Sequence, residues 1–355
     1  MKNIDNLLIV KLSSMGDVLM NIPVVEGIKK SQNDVRLGWV VEDKASDLLK
    51  HYKSIDKLYV FNKTQVESYY RNFNYVALYR YIKKFIKKIR KDSWTNSLDL
   101  QWVFRSSIIP WLAGIRNRYG CIGNGLHKIF ISNNYKLNHS KLPAHVIRKN
   151  FRIVQKMGFI NKKLTPNCFF PLSGGLKNWA GKKVKAYDGY FKIGIAPFSK
   201  WNTKNWSVNK YNNLIEKTVK KEEYAVFLFG GEEDRIKVNK MLGIENKRVV
   251  DFTGKINLNE FAALAFEMDL FISGDSFPMH VASFLNIPQI AIFGPTSPKK
   301  TGPLNKKAHI IQRNFDCIPC FSKTCLLEKN KHKCLENISE NEMMEIIENI
   351  KKSLE

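Results

Sequence analysis

The segment LIVKLSSMGDVLMNIPVV, residues 8–25, shows the pattern that decides the fold of this chain. The apolar run Leu7 to Leu12 is typical of a buried strand, and it ends in the turn SSMGD at 13–17. A helical pattern follows to about Lys30. Strands that alternate with helices build parallel sheets through right-handed crossovers, so the segment predicts the first unit of a doubly wound α/β fold.

The same alternation continues along the chain in two blocks. In the first block we predict further strands at 35–41, 57–61 and 97–101 and helices at 78–89 and 145–157. In the second block we predict strands at 191–196, 224–229, 248–251, 270–273 and 289–293, with helices at 209–219, 232–242, 258–266 and 278–285. The polar segment 161–185, which contains Pro and paired Gly, is the predicted linker.

Composition limits the class of protein. The 355 residues include 58 Lys+Arg and 32 Asp+Glu, a formal charge of +26, and 44% are hydrophobic, enough to form a core. Apolar runs are too short to span a bilayer, and Lys11 interrupts the N-terminal one, so we expect neither a membrane span nor a signal peptide. Six cysteines do not form a disulfide scaffold, and a reducing cytoplasm is the expected compartment.

The positive charge indicates an anionic partner: nucleic acid, acidic lipid or a phosphorylated substrate. A genome-wide bias toward Lys would give the same charge without a function. The helix at 79–91 has a Lys-rich face that is suited either to an anionic membrane surface or simply to solvent. A nucleic-acid-binding protein would need aromatic-plus-basic strand motifs or a recognition helix, and the sequence shows neither.

Polar residues follow the predicted strands, where ligands bind in such folds. The turn at 13–17 is not GxGxxG, and the chain has no P-loop, which argues against a dinucleotide oxidoreductase or a P-loop NTPase. Asp17 lies at a helix start, so it is either an N-terminal cap or first-turn anion, or a general base.

Three further loops follow strands of the second block. PFSKWNTKNW at 197–206 carries lysines and hydroxyls that suit a diphosphate, although it could simply be a polar loop. FGGEE at 229–233 offers glutamates either for ribose hydroxyls or for the first turn of a helix. ISGDSFPMH at 272–280 places a Gly-Asp-Ser turn before a helix, the geometry of an anion site, with His280 about one turn along.

Together these segments resemble the bacterial ADP-heptose:lipopolysaccharide heptosyltransferases, glycosyltransferase family 9. The matching pieces are residues 8–25, 197–206, 229–234, 272–303 and 317–325, and they occur in family order. The resemblance implies a GT-B type α/β fold, with two Rossmann-like doubly wound parallel-sheet domains facing a cleft and no catalytic metal or other cofactor. We expect an N-terminal acceptor domain at 1–170 and a C-terminal nucleotide-sugar domain at 171–355.

The resemblance also implies roles for individual residues. Asp17 is similar to the general base of the family, and the donor ADP-heptose would be held by residues 199–280: Ser199, Lys200, Lys204, Glu232 (or its neighbour Glu233), Asp275, Ser276 and His280. The expected reaction is inverting transfer of heptose to the lipopolysaccharide inner core by an enzyme that is cytoplasmic and peripheral at the inner membrane. Alternatives are another nucleotide sugar or a protein acceptor.

Two features depart from this expectation or add to it. Phe277 stands where family members usually have Gly, which narrows the approach to a phosphate and leaves an inactive membrane-surface homologue as an alternative. Four cysteines, Cys317, Cys320, Cys325 and Cys334, lie within eighteen residues. They could bind a structural metal, as four cysteines do in related protein heptosyltransferases with different spacing. Reduced thiols or one disulfide is the simpler expectation.

Overall fold

The computed structural model describes residues 4–122, 125–136, 142–241, 246–329 and 331–355. The chain divides into two compact units, one that ends at Asn167 and one that begins at Cys168. Each unit is built on a six-stranded sheet in which neighbouring strands are parallel. Among the described helices, none combines the length and the apolar character that crossing a bilayer requires.

In the first unit the strand order is β3-β2-β1-β4-β5-β6. Its strands are β1 Asn6–Val10, β2 Arg36–Glu42, β3 Lys57–Phe61, β4 Asn96–Asp99, β5 Asn117–Ile122 and β6 Asn133–Lys136. Its helices are α1 Met15–Leu19, α2 Ile22–Ser31, α3 Asp43–Ser46, α4 Lys63–Arg71, α5 Tyr75–Lys91, α6 Phe104–Leu112 and α7 Val146–Lys156. The chain runs outward in one direction from β1 and in the other from β4, so the order of the strands reverses between these two neighbours.

The second unit repeats this plan with the order β12-β11-β10-β7-β8-β9. Its strands are β7 Phe191–Ala196, β8 Tyr224–Leu228, β9 Val249–Asp251, β10 Leu270–Gly274, β11 Gln289–Phe293 and β12 Ala308–Gln312. Its helices are α8 Gly174–Val184, α9 Val208–Lys220, α10 Arg235–Met241, α11 Leu258–Phe266, α12 Phe277–Phe284, α13 Pro298–Thr301, α14 Lys333–Glu336 and α15 Glu340–Leu354. Here the order reverses between β7 and β10.

The apolar runs of the sequence form the buried central strands of the two sheets. All residues of β8, β10 and β11 are buried, as expected for central strands covered by helices on both faces. Helix α5 shows the same principle at a surface. Phe85, Ile86 and Ile89 pack inward, while the lysines at 83, 84, 87, 88 and 91 are exposed.

The structure confirms the predicted fold class and most of the predicted elements. The strands at 57–61, 191–196 and 289–293 and the helix at 258–266 have the predicted bounds. The predicted linker 161–185 was wrong in its second half, where α8 forms. Ser173 caps this helix by accepting from the Leu176 N–H at 3.2 Å, and Ala180 and Val184 are buried. Strands β5, β6 and β12 were not predicted.

Candidate active site

The first unit brings two loops together at the carboxyl ends of β1 and β4. The side-chain oxygen of Gln101, just after β4, accepts from the backbone N–H groups of Leu12 (2.7 Å) and Ser13 (3.2 Å). The loop after β4 therefore fixes the loop after β1. This is the point where the strand order reverses, the location at which open parallel sheets bind ligands. We call it the β1–β4 switch point.

Asp17 is a half-buried residue in the first turn of α1, beside this loop. Its Oδ2 accepts from the Ser14 backbone N–H at 3.2 Å and from the Ser14 hydroxyl at 3.0 Å. The structure therefore places Asp17 in a capping box at the helix start, one of its two predicted roles. A carboxylate has about four acceptor sites, so these two bonds do not exhaust it and the cap does not exclude work as a base.

Two buried charged residues at this switch point were missed by the sequence analysis. Lys11, directly after β1, and Asp99, the last residue of β4, are 8% and 2% exposed. Burial lowers the pKa of Lys11, while the negative charges of Asp17 and Asp99 act in the opposite direction. Asp99 accepts from the backbone N–H groups of Gln101 (2.8 Å) and Trp102 (3.1 Å), and burial raises its pKa.

Arg105 is a further cation beside the β1 loop. Its guanidinium donates to the Ser13 hydroxyl at 3.1 Å and lies 3.6 Å from a carboxylate oxygen of Glu42, the last residue of β2. Its side chain is half exposed. The β1–β4 switch point thus presents one half-buried carboxylate, Asp17, among cationic groups, an arrangement suited to a polar, anionic molecule that carries a hydroxyl.

In the second unit, an ion pair joins the loops that follow β7 and β10. The ammonium of Lys204 lies 2.8 Å from Oδ2 of Asp275 and also donates to the Asp275 carbonyl at 3.1 Å. The other carboxylate oxygen of Asp275 accepts from the Thr301 hydroxyl at 3.2 Å. A Cβ on Gly274 would come within 3.0 Å of the Lys204 carbonyl, so glycine permits this close approach. We call this location the β7–β10 switch point.

The remaining residues of the loop after β7 surround Lys204. Ser199 donates from its N–H to the side-chain oxygen of Asn205 at 2.8 Å, and its hydroxyl donates to the same oxygen at 2.9 Å. The Lys204 ammonium lies 4.7 Å from the centroid of the Trp201 ring. Lys200 is exposed. Of the predicted lysines, the structure therefore brings Lys204 to Asp275 and leaves Lys200 at the surface.

Helix α12 begins directly after Asp275. Ser276 is its N-terminal cap residue, and the Ser276 hydroxyl donates weakly to the Gly274 carbonyl at 3.4 Å. His280, about one turn along, is 6% exposed. The Phe277 ring lies 6.2 Å from the ring of Phe261 on α11. The start of α12 directs the backbone N–H groups of its first turn, in which Pro278 has none, to the same edge of the sheet as the β7 loop.

Glu232 lies in the loop after β8, the strand next to β7 in the sheet. Glu232 starts a short 3-10 turn, and its side chain, 68% exposed, pairs with Arg235 at 2.8 Å. Asp234 closes the turn by accepting from the Gly231 N–H at 3.1 Å, and burial raises its pKa. Glu232 is therefore the more accessible carboxylate of these two for a hydroxyl-bearing ligand.

Comparison with known proteins places this geometry in a family. Residues 82–331 match the family model described as glycosyltransferase family 9 (heptosyltransferase). The chain belongs to glycosyltransferase family 9. It is 26% identical to lipopolysaccharide heptosyltransferase 1 of Campylobacter coli, over 96% of this chain and 98% of that protein.

Solved structures share the fold. The chain superimposes on E. coli ADP-heptose lps heptosyltransferase II with a TM-score of 0.78 at 20% identity, covering 97% of this chain and 98% of that one. For E. coli heptosyltransferase WaaC with ADP the TM-score is 0.76 at 16% identity, with 97% and 99% covered. Membership of family 9 and this shared architecture confirm the predicted GT-B type fold and the resemblance that the sequence showed.

The cysteine segment of this family 9 protein follows β12. Cys334 is buried, Cys317 and Cys325 are half-buried and Cys320 is exposed. Burial raises the pKa of Cys334, whereas hydrogen bonds from backbone N–H groups lower that of Cys325. Within the described ranges, no group of three or more His, Cys, Asp or Glu side chains is arranged to hold a metal ion.

Proposed function

We propose that the protein transfers heptose from ADP-heptose to a lipopolysaccharide inner-core acceptor, with inversion and without a metal ion. The observation that carries the proposal is that a switch point of each parallel sheet holds the expected chemistry in a family 9 chain. The β1–β4 switch point has the Asp17 carboxylate, and the β7–β10 switch point has Lys204 and the start of α12. The names of the similar proteins support heptose, ADP and lipopolysaccharide.

The donor would lie across the β7–β10 switch point. An ammonium has three donors, and Lys204 uses two on Asp275, so one remains for a diphosphate oxygen. Lys200 and the first turn of α12 after Ser276 would contribute further donors. The Ser199 hydroxyl would do so when its bond to Asn205 is exchanged for one to the ligand. Glu232 would accept from ribose hydroxyls, and Asp275 would hold Lys204 in place. His280, about one turn into α12, would belong to the same donor site.

The acceptor would approach Asp17. Asp17 takes the proton of an acceptor hydroxyl while that oxygen attacks the anomeric carbon of heptose from the side opposite the diphosphate. The bond between the anomeric carbon and the diphosphate oxygen breaks, and ADP leaves with the electron pair. Lys204 and the N-terminus of α12 stabilise the negative charge that develops on the leaving oxygen.

The proposed acceptor also determines where in the cell the protein would act. The acceptor is a phosphorylated lipid, so the protein would act in the cytoplasm, peripherally at the inner membrane. Lys11 and Arg105, the cations beside Asp17, would favour an anionic acceptor.

The test is transfer itself. The purified protein is incubated with ADP-heptose and a panel of truncated core acceptors, and products are identified by mass and by the anomeric configuration in NMR. We expect one acceptor to gain a single heptose with inverted configuration, in the presence of a chelator. Parallel reactions contain other nucleotide sugars and a protein acceptor. Transfer from one of those donors, or to protein, would replace the proposal with an alternative.

An inactive homologue would show no transfer with any donor. Phe277→Gly then becomes informative, since it removes the side chain at the start of α12. Transfer gained by this variant alone would show that Phe277 blocks an otherwise complete site.

A further inference from the structure

Helices α4 and α5 form a hairpin whose tip is exposed and apolar. Tyr70, near the end of α4, is 64% exposed, and Phe73 in the connecting turn is 78% exposed. At the start of α5, Tyr75, Val76 and Tyr79 are 53%, 63% and 64% exposed. We call these five residues the aromatic tip. Large apolar side chains exposed together indicate an interaction surface, whereas scattered ones do not.

Three rings of the tip form a cluster. The ring of Tyr75 lies 6.3 Å from the ring of Tyr70 and 6.3 Å from that of Phe73, edge to face in both pairs. Phe73 has a φ of 53°, a left-handed conformation that is uncommon outside glycine. The turn presents Phe73 to solvent together with its neighbours. Burying the Phe73 side chain would have stabilised the protein, so its exposure is consistent with a binding role.

The rest of α5 carries a dense positive charge, which we call the basic stem. Residues 68–91 contain eight basic residues and no acidic one. Within the described part of the chain, none of the stem lysines has a carboxylate within salt-bridge distance. The stem consists of Arg80, Lys83, Lys84, Lys87, Lys88 and Lys91, all of them exposed.

A groove of about 1030 Å³ runs beside the basic stem. Its wall is apolar where Val60 of the edge strand β3, Tyr81 and Phe85 line it. Its rim carries Lys84 and Lys88. The groove thus places cations next to apolar surface, the combination that fits an amphipathic lipid with an acidic headgroup.

We propose that the aromatic tip and the basic stem dock the protein on an anionic lipid bilayer. Aromatic rings of mixed polarity are favoured at the boundary between headgroups and acyl chains, so Tyr75 and Tyr79 would sit at that depth, with Phe73 inserted. The stem then lies against acidic headgroups, each nearby lysine adding to the attraction. Residues 80–91 extend over roughly 17 Å at 1.5 Å per residue, which spans several headgroups.

The segregation of apolar and basic groups favours a bilayer over a nucleic acid. Single-stranded nucleic acid is bound by aromatic rings interspersed with cations along the path of the backbone. Here the exposed rings occupy one end of the hairpin and the exposed lysines of α5 occupy the other. The rings of the stem, Tyr81 and Phe85, are half-buried and buried. The Lys83 ammonium, 5.7 Å from the ring centroid of Tyr79, marks the boundary between the two.

The inference rests on the proposed function only in that a lipid acceptor requires a membrane. Binding is therefore measured without donor or acceptor, by flotation of the full-length protein with vesicles. One set contains phosphatidylglycerol and phosphatidylethanolamine, and the other contains only phosphatidylcholine. We expect binding to the first set that weakens strongly with salt and little binding to the second.

Matched variants locate the surface. Neutralising the stem by Lys83→Gln, Lys84→Gln, Lys87→Gln and Lys88→Gln should weaken vesicle binding about 100-fold or more. The control neutralises four exposed lysines of the second unit and changes net charge equally: Lys182→Gln, Lys183→Gln, Lys185→Gln and Lys220→Gln. The control should keep binding within a few-fold. An equal loss in both variants would show that only bulk charge matters and would overturn the proposal.

The tip has its own control. Phe73→Asn with Tyr75→Ser should weaken binding about tenfold, because it removes the inserted apolar surface. Leu126→Ser with Ile129→Ser changes two side chains of similar exposure, 67% and 66%, elsewhere in the first unit. Loss of binding by the second pair but not by the first would move the docking surface away from the hairpin and contradict the proposal.

Two further outcomes separate this inference from the proposed function. The stem variant should retain transfer to a detergent-solubilised acceptor, since no stem residue belongs to the proposed active site. If the wild type binds anionic vesicles but transfers no sugar, the docking surface stands and the proposed function fails. Tight binding to single-stranded RNA without vesicle binding, abolished by the stem variant, would reassign the surface to nucleic acid.

Discussion

The β1–β4 and β7–β10 switch points use the same strand order but are held together by different chemistry. In the first unit, the neutral side chain of Gln101 holds two backbone N–H groups of the β1 loop. In the second unit, the charged pair Lys204–Asp275 joins the two loops with side chains that are 17% and 5% exposed. Under the proposed function, the uncharged Gln101 would leave the nearby carboxylate of Asp17 able to accept a proton. The Lys204–Asp275 pair would hold a cation in position for phosphate.

Under the proposed function, this difference would let two sheets of the same strand order perform two different tasks. Both units place the ends of central parallel strands at one edge, and loops that carry polar side chains follow these ends. What each site can do then depends on a few side chains after the strands. The comparison predicts that substitutions at the first switch point reduce the rate and that substitutions at the second reduce nucleotide affinity.

The largest expected effect is at Asp17. Asp17→Asn should lower kcat about 1000-fold, because general base catalysis contributes roughly 100- to 10,000-fold. An asparagine oxygen can still accept from Ser14, so the start of α1 should persist. ADP affinity, measured by calorimetry, should stay within a few-fold of wild type.

The matched control for this variant is Ser14→Ala. It removes the hydroxyl that bonds to Asp17 and should cost about 1 kcal/mol of stability while most of the activity remains. If Asp17→Asn transfers sugar as fast as Ser14→Ala does, Asp17 serves only as a cap.

The next largest effect should be at Lys204. Lys204→Ala should weaken ADP binding by about 10- to 100-fold, since it removes a charge-assisted donor to the diphosphate. It should also lower the free energy of unfolding by about 3–5 kcal/mol, because buried Asp275 loses its partner.

The variant Lys200→Ala provides the comparison for Lys204, as Lys200 is exposed. Its effect on ADP affinity should be only a few-fold and its effect on stability negligible. Equal losses of ADP affinity in the two variants would mean that pairing with Asp275 does not position the Lys204 ammonium to bind the diphosphate.

A smaller effect should follow from removing the side-chain oxygen of Gln101 that holds the β1 loop. Gln101→Leu leaves the N–H groups of Leu12 and Ser13 without their acceptor, which costs about 1–3 kcal/mol. We expect kcat to fall about tenfold as the β1 loop loses its fixed position, with ADP affinity unchanged. A drop in ADP affinity without a drop in kcat would contradict the separation of the two tasks.

The smallest effect is a pH dependence from Lys11. Burial lowers the pKa of Lys11 in the folded state below its ordinary value of 10.5. Between these two pKa values the unfolded state binds more protons, so the free energy of unfolding rises with pH over that range. Lys11→Met should remove this contribution. The check is the difference in unfolding free energy between wild type and variant at neutral and alkaline pH. A difference that does not change with pH would show that Lys11 is not desolvated.

The sequence predicted what depends on local pattern. Asp17 and Lys204 lie in the segments that follow the buried strands β1 and β7, so their place at a sheet edge could be inferred from the strand pattern alone. Gln101 could not be recognised in the same way, because its partners lie 88 and 89 residues earlier and depend on β1 pairing with β4. The sequence does show polar residues, Asp99 and Gln101, at the end of a predicted strand. Their contact with the β1 loop can be recognised only once β1 and β4 are known to be neighbours.

Other differences have similar causes. The pair Gly174 and Gly175 predicts a linker where α8 forms, because the cap by Ser173 and the burial of Ala180 and Val184 stabilise the helix. Buried Lys11 could not be distinguished from a surface lysine without the neighbouring strands. The aromatic tip was missed because Tyr and Phe near the start of a helix normally indicate a buried face.

The central claim is that the nucleotide binds at the β7–β10 switch point and that Asp17 acts on the acceptor. The most direct test is a crystal structure of the protein with ADP. We predict diphosphate oxygens within hydrogen-bonding distance of the Lys204 ammonium, close to the first turn of α12. A diphosphate seated on the β1–β4 loops, or one that leaves Lys204 without contact, would contradict the account.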